Sequence, residues 1–230
     1  MASALPDGAA PQNRRMRIAT DLSRIGVEVA ALLLAATCGG CGEPGILLCG
    51  KCREALRPEL QDSMTPRGLR VRAAFPFDGV AARCIRRLKG EGETFLARPL
   101  GAALAEALAL ETTPTTWVVP VPTTAKAFRR RGYRVPDLLI RRAHVEPQRV
   151  LSVAADTIDQ RGLGAHDRAA NVHRTMRARR RGEGAEAVIV DDVVTTGATL
   201  DEAARALHAG GFRVVAAVAL AATPRRGGFG

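Results

Sequence analysis

Residues 188–200 read V-I-V-D-D-V-V-T-T-G-A-T-L, and no other stretch narrows the possible folds as much. Val188, Ile189 and Val190 form an unbroken β-branched run, which predicts a short buried strand of a parallel sheet. Asp191 and Asp192 follow, where such a strand emerges at its carboxyl end. Thr195, Thr196, Gly197, Ala198 and Thr199 make a small hydroxyl-rich loop that opens into a helical pattern over residues 200–207. Open α/β sheets bind ligands at this strand-to-helix junction. Unpaired amides and the positive end of the dipole make a helix start an anion site. Gly197 lets the backbone approach an anion closely, and the threonine hydroxyls add donors. Two adjacent carboxylates would repel the same phosphate, so they suit a polyol or a metal-bound leaving group beside it. Thr199 and Glu202 also fit a capping box, which by itself requires neither the aspartates nor Thr-Thr-Gly.

A chain of 230 residues with 47% hydrophobic content can bury one good core and a small appendage. No apolar run approaches the ~20 residues of a membrane span. With six Phe, Tyr133 and Trp117 as the only aromatics, stacking platforms for single-stranded nucleic acid are poorly supplied. The net charge of +11 rests almost wholly on arginine, because Lys51, Lys89 and Lys126 are the only lysines. Such a field attracts phosphates, nucleotides or nucleic acid. Gly182-x-Gly184 precedes the 188–190 strand instead of following it, so a dinucleotide fingerprint is not supported.

Residues 1–20 lack periodicity and predict a disordered arm. Leu22, Ile25, Val29, Leu32 and Leu33 predict a helix over residues 21–36. Arginines before this apolar stretch suggest a signal peptide, but Glu28 interrupts it and Thr37 suits lipidation of Cys38 poorly, so a cytoplasmic protein is expected. Cys38, Cys41, Cys49 and Cys52 have C-x2-C-x7-C-x2-C spacing, which can close four thiolates around one structural zinc. Disulfides compete for the same residues but are disfavoured in a reducing compartment, and a redox motif would use one pair only. A zinc would hold together a segment over residues 21–57 that is too small for its own core. Cys84 reads as a small core residue.

Residues 53–69 read as a helix turn and linker, 71–77 as a strand, 80–88 as a helix, and 95–110 as an Ala/Leu-rich helix. Arg86, Arg87 and Lys89 fit a solvated helix face for the most part. Residues 117–122 predict a buried strand run ending in two prolines. Lys126, Arg129, Arg130 and Arg131 precede Gly132-Tyr133 and read as a basic loop, a mobile cover over a site. A helix over 136–143 and a strand over 148–154 follow. Thr157, Gln160, Leu163, Arg168 and Asn171 form a spaced polar pattern that no core requires. Gly210-Gly211 should stop the helix after the central motif, with a last strand over 214–222 and a frayed tail over 224–230. The expected domain built on these elements spans residues 70–223.

D-D-V-V-T-T-G-A-T resembles the phosphoribosyl pyrophosphate motif of type I phosphoribosyltransferases. The order of four cysteines, P-V-P, R-G-Y, T-x-x-Q…R-x-x-N and this motif resembles the ComF family, double-zinc-ribbon phosphoribosyltransferase-like proteins, some of them linked to DNA uptake. The resemblance implies an α/β fold: a type I phosphoribosyltransferase-like central parallel sheet flanked by helices, with a small N-terminal zinc-ribbon-like module. It implies that Thr195, Thr196, Gly197, Ala198 and Thr199 are the 5-phosphate loop, and Asp191 and Asp192 the ribose and metal-side carboxylates. Val121 and Pro122 become part of the pyrophosphate loop, and Arg129 and Arg131 become catalytic arginines that exclude water. Where family members usually carry Asn-Gln after R-G-aromatic, this chain has Arg134-Val135, which leaves acceptor chemistry open. The implied activity is Mg2+-dependent transfer of phosphoribose from phosphoribosyl pyrophosphate to an unidentified acceptor. A second reading is a non-catalytic adaptor that engages single-stranded DNA or a DNA-uptake helicase. A third, salvage of a familiar base, has no identifying residue.

Overall fold

The apolar run around Ile189 forms the expected central strand and extends beyond it at both ends. A computed structural model describes residues 36–153 and 175–224. In chain order the elements are α1 (Gly50–Glu54), β1 (Gln61–Met64), β2 (Arg70–Pro76), α2 (Gly79–Gly90), α3 (Ala97–Ala109) and β3 (Trp117–Pro120). They continue with α4 (Ala125–Arg131), α5 (Val135–Arg142), β4 (Leu151–Val153), β5 (Met176–Ala178), β6 (Glu186–Val194), α6 (Ala198–Ala209) and β7 (Arg213–Ala222). The chain divides into two compact units, Met1–Cys49 and Gly50–Gly230. The expected arm, the 21–36 helix up to residue 35, the 157–172 polar pattern and the tail from residue 225 lie outside the described residues.

The larger unit is built on a five-stranded sheet ordered β1-β2-β7-β6-β3. β2, β7, β6 and β3 run parallel, and β1 closes one edge antiparallel to β2. Strand alternation splits the side chains of β6 between two layers. Ala187 and Ile189 pack into a cluster with Leu200, Ala203 and Leu207 of α6 and with Leu151 and Met176. Val188 and Val190 point to the other face, where α3 and α5 pack against the sheet. A Cβ on Gly101 would lie 2.3 Å from the Arg142 Cβ, so glycine there is what lets α3 and α5 approach. This is the expected α/β architecture. Among the described residues, no helix is long and apolar enough to cross a membrane.

Several local expectations are corrected. Residues 61–64, expected as linker, form β1, and residues 176–178 form β5 within a stretch that is basic and glycine-rich in sequence. The strand expected over 148–154 shortens to β4 and pairs antiparallel with β5 outside the central sheet. The basic segment expected as a mobile loop is the helix α4: Thr124 accepts a hydrogen bond from the Ala127 N–H at 3.3 Å, and Gly132, at φ 78°, ends it in the left-handed region. The expected capping box is absent, because Gly197 occupies the N-cap and Thr199 already lies inside α6. Glu202 instead accepts from the Met176 N–H at 2.9 Å and pairs with Arg205 at 2.7 Å, tying α6 to β5.

Candidate functional site

At its carboxyl end, β6 carries Asp191 and Asp192 as its sixth and seventh residues and runs on to Val194. Asp191 is half-buried and Asp192 buried. The Asp192 N–H donates to Asp191 Oδ1 at 2.8 Å, and Lys89 Nζ donates to Asp192 Oδ1 at 2.8 Å. Burial, followed by the neighbouring Asp192 charge, pushes the Asp191 carboxyl up to about 7, against the opposing pull of the Asp192 N–H and Lys89. Lys89 belongs to the last turn of α2, where its charge alone suggests a solvated face. Its partner lies 103 positions away in sequence, so no local pattern signals the pair. The Tyr133 hydroxyl donates to the Leu88 carbonyl, fastening the α4–α5 junction to the residue next to Lys89.

Beyond Val194 the chain turns through exposed Thr195 and Thr196 to buried Gly197 at φ 85°. That conformation favours glycine, and a Cβ there would also meet Thr65 Cγ2 at 3.0 Å. Ala198 and Thr199 form the first turn of α6, whose hydrogen bonding begins with Asp201 N–H to the Gly197 carbonyl at 2.9 Å. Thr195, Thr196 and Gly197 line a cavity of about 280 Å³ together with Gln61, Ser63 and Thr65. The Arg67 N–H donates to Asp201 Oδ2 at 3.2 Å, holding the 65–69 turn against the start of α6. β1 and this turn, both expected as linker, thus wall the cavity at residues 195–197.

Val121 and Pro122 follow β3 directly, and the Val121 N–H donates to the Val190 carbonyl at 2.8 Å, one residue before Asp191. They line a second cavity of about 190 Å³. Arg129 and Arg131 both lie on α4, two residues apart, so they face different sides of the helix. Arg129 is exposed, whereas Arg131 is half-buried with its Nε shielded from solvent.

The ligand atoms of Cys38, Cys41, Cys49 and Cys52 all lie within 4.8 Å of one another. None of the four forms a disulfide. Cys41 Sγ and Cys49 Sγ are 3.8 Å apart. A tetrahedron with Zn–S bonds of about 2.3 Å has sulfur–sulfur edges of about 3.8 Å, so the thiol set fits zinc. Burial opposes the Cys38 thiolate, but N–H groups of Cys49, Cys41 and Gly40 outweigh it and lower the thiol to about 6. The acidic pair offers hard carboxylate oxygens instead, a donor chemistry that fits Mg2+ and not a soft metal.

Residues 118–229 match the family described as the phosphoribosyl transferase domain. The match starts in β3 and takes in the P-V-P turn, the acidic pair and the glycine turn. No curated protein matches the chain. Among solved structures, TT1426 from Thermus thermophilus is 20% identical, with 57% of this chain and 85% of that chain covered and a TM-score of 0.33. Orotate phosphoribosyltransferase from Aeropyrum pernix is 19% identical, with 75% and 78% covered and a TM-score of 0.33.

Proposed function

We propose that this protein binds phosphoribosyl pyrophosphate with Mg2+ and transfers phosphoribose to an acceptor, releasing pyrophosphate. One observation carries the reading. Two carboxylates lie near the carboxyl end of the central strand, the second three residues before a threonine-glycine turn at a helix N-terminus, inside the segment that matches the phosphoribosyl transferase domain. In this reading the amides and hydroxyls of residues 195–199 hold the 5-phosphate. Asp191 and Asp192 accept from the ribose hydroxyls, and Lys89 fixes the orientation of Asp192. Mg2+, when bound, neutralises charge on the leaving pyrophosphate. As the C1–oxygen bond breaks and pyrophosphate departs with its electron pair, positive charge grows on the sugar. The two aspartates stabilise that charge through the hydroxyls they hold. The turn at Val121 and Pro122 receives the pyrophosphate, and Arg129 and Arg131 on α4 keep water from competing with the acceptor.

The four cysteines are assigned to a structural zinc, which fits a reducing, cytoplasmic setting. The finer placement in the ComF family rests on motif order. The adaptor reading, with single-stranded DNA or a helicase as partner, draws on the +11 charge and Arg134-Val135, and makes no use of the acidic pair. Calorimetric titration of phosphoribosyl pyrophosphate with and without Mg2+ tests the main reading. Mg2+-dependent binding that weakens at least tenfold in Asp192→Asn is expected. Equal binding by that variant, or no binding by the parent protein, would overturn it.

A further inference from the structure

Tyr133 is the only tyrosine of the chain, and its hydroxyl donates to a carbonyl 45 positions away in sequence, that of Leu88. Leu88 lies in the last turn of α2, where the final four carbonyls of a helix have no donor from their own helix. Its side chain is fully buried and anchors that turn in the core. Burial holds the Tyr133 phenol above its ordinary value against the pull of the Arg131 charge, so the hydroxyl stays protonated and remains a donor. One residue on, Lys89 Nζ donates to Asp192 Oδ1 at 2.8 Å. A lysine ammonium sits on a flexible four-carbon stem and brings no fixed geometry of its own. Where it meets the carboxylate is set by where the helix end holds its backbone, and helix ends fray unless they are tied.

The other end of this tie is fixed as well. Gly132 closes α4 by donating its N–H to the Phe128 carbonyl at 2.8 Å, and the Arg134 guanidinium lies 4.4 Å from the centre of the Phe128 ring. Tyr133 stands between these two contacts, so the end of α4 and the residue that leads into α5 form one piece. Resting on the phosphoribosyl-transfer reading, we propose that Tyr133 is a positioning residue. Its hydrogen bond to Leu88 sets Lys89 against Asp192, and so couples the basic helix α4 to a carboxylate that grips the ribose. A displacement of α4, with Arg129 and Arg131 on it, reaches Asp192 through two hydrogen bonds in series.

The chain suits a direct test, because Lys51, Lys89 and Lys126 are its only lysines. Isotope-labelled lysine in the full-length protein gives three side-chain ammonium signals by NMR, and Lys89→Gln assigns the one paired with Asp192. In Asp192→Asn the Lys89 signal should move towards those of Lys51 and Lys126, which are exposed. Tyr133→Phe keeps the ring and removes only the hydroxyl, and it should move the Lys89 signal the same way. Unmoved Lys51 and Lys126 signals show that the variant is folded. By calorimetry, Mg2+-dependent affinity for phosphoribosyl pyrophosphate should fall about two- to tenfold in Tyr133→Phe, the range one hydrogen bond supplies. It should fall no further when Tyr133→Phe is added to Lys89→Gln. Growth on meta-fluorotyrosine alters residue 133 alone and retains the hydroxyl, so signal and affinity should stay close to those of the parent. An unmoved Lys89 signal in Tyr133→Phe overturns the proposal, as does a moved signal with unchanged affinity. So does an affinity loss of equal size with and without Lys89, or a fluorotyrosine protein that behaves like Tyr133→Phe. If the parent ignores phosphoribosyl pyrophosphate, the transfer reading fails, and the Lys89 signal alone decides whether Tyr133 positions the partner of Asp192.

Discussion

The four-cysteine segment and the β6–β7 centre of the sheet hold their shapes by opposite means. Around the cysteines the chain is short, and Ile46 and Leu47 between the two pairs stay 41% and 43% exposed. Tight turns such as Gly42 at φ 83°, and the isolated bridge between Thr37 and Pro44, set the thiols in place. Little apolar surface is buried there to offset the entropy of ordering the chain. In the sheet, by contrast, Ala187 to Val190 and Ala216 to Ala221 are all fully buried. The difference teaches that the first region lacks the buried apolar surface that holds the second, which is the reason a structural metal is proposed for it and not for the sheet.

Removing the metal is the strongest way to break this contrast. Apparent zinc-binding free energies in small thiolate sites are about 10–16 kcal/mol, and in such sites they are folding free energy. Chelation, or Cys38→Ser, should release one zinc per chain and abolish amide-exchange protection around residues 38–52. Protection of β6 and β7 should persist. Loss of protection in both regions together would show that the sheet also depends on the metal. The converse change is Ile189→Ala in the sheet, which removes most of a fully buried side chain and should cost about 2–5 kcal/mol. Urea unfolding would show the lower midpoint, and zinc content should remain at one per chain.

The same contrast explains which features are legible in the sequence. Cysteine spacing and the V-I-V-D-D run are local patterns, each dictated by one kind of chemistry; the first closes into a thiol cluster and the second forms β6 beside the Gly197 turn. Residues 61–64 alternate in exposure as β1, but their side chains, Gln, Asp, Ser and Met, give no apolar period to detect. β5 is three residues long and buries only Met176, beside exposed Arg177. The basic density of α4 suggests a loop, although arginine is a good helix former and both caps stand in the sequence as Thr124 and Gly132. Thr199 and Glu202 have capping-box spacing, yet the left-handed Gly197 starts the helix too early for them to use it. The Lys89–Asp192 pair is brought together only by tertiary folding.

A smaller effect sharpens the reading of the glycine turn. Gly197→Ala puts a Cβ at φ 85°, against Thr65 Cγ2 at 3.0 Å and Thr65 Cβ at 3.1 Å. The left-handed conformation costs about 1–2 kcal/mol for a residue with a Cβ, and the thiolate segment should not register the change. A fall in melting temperature together with weakened phosphoribosyl pyrophosphate binding is expected. Full binding with the same lowered stability would separate the turn from the ligand.

The smallest and most specific effect concerns Asp191. Its carboxyl is raised from 3.8 to about 7, first by burial and second by Asp192. A carboxyl that holds its proton more tightly in the folded state stabilises that state below the unfolded value. The contribution is lost as pH rises through the folded value, because between about 4 and 7 the folded chain binds more protons than the unfolded one. Asp191 should therefore lower stability progressively from pH 4 to pH 7, with most of the change complete just above 7. Asp191→Asn removes the titration but keeps the shape, so its urea midpoint should vary less over this window than that of the parent. Lys89→Gln should steepen the parent's decline, since Lys89 is one of the two groups that favour the ionised form of Asp191. If parent and Asp191→Asn have parallel profiles from pH 4 to 7, the carboxyl titrates normally. The end of β6 would then be as open to solvent as the segment between the cysteine pairs, and the contrast between the two regions would stop short of the candidate site.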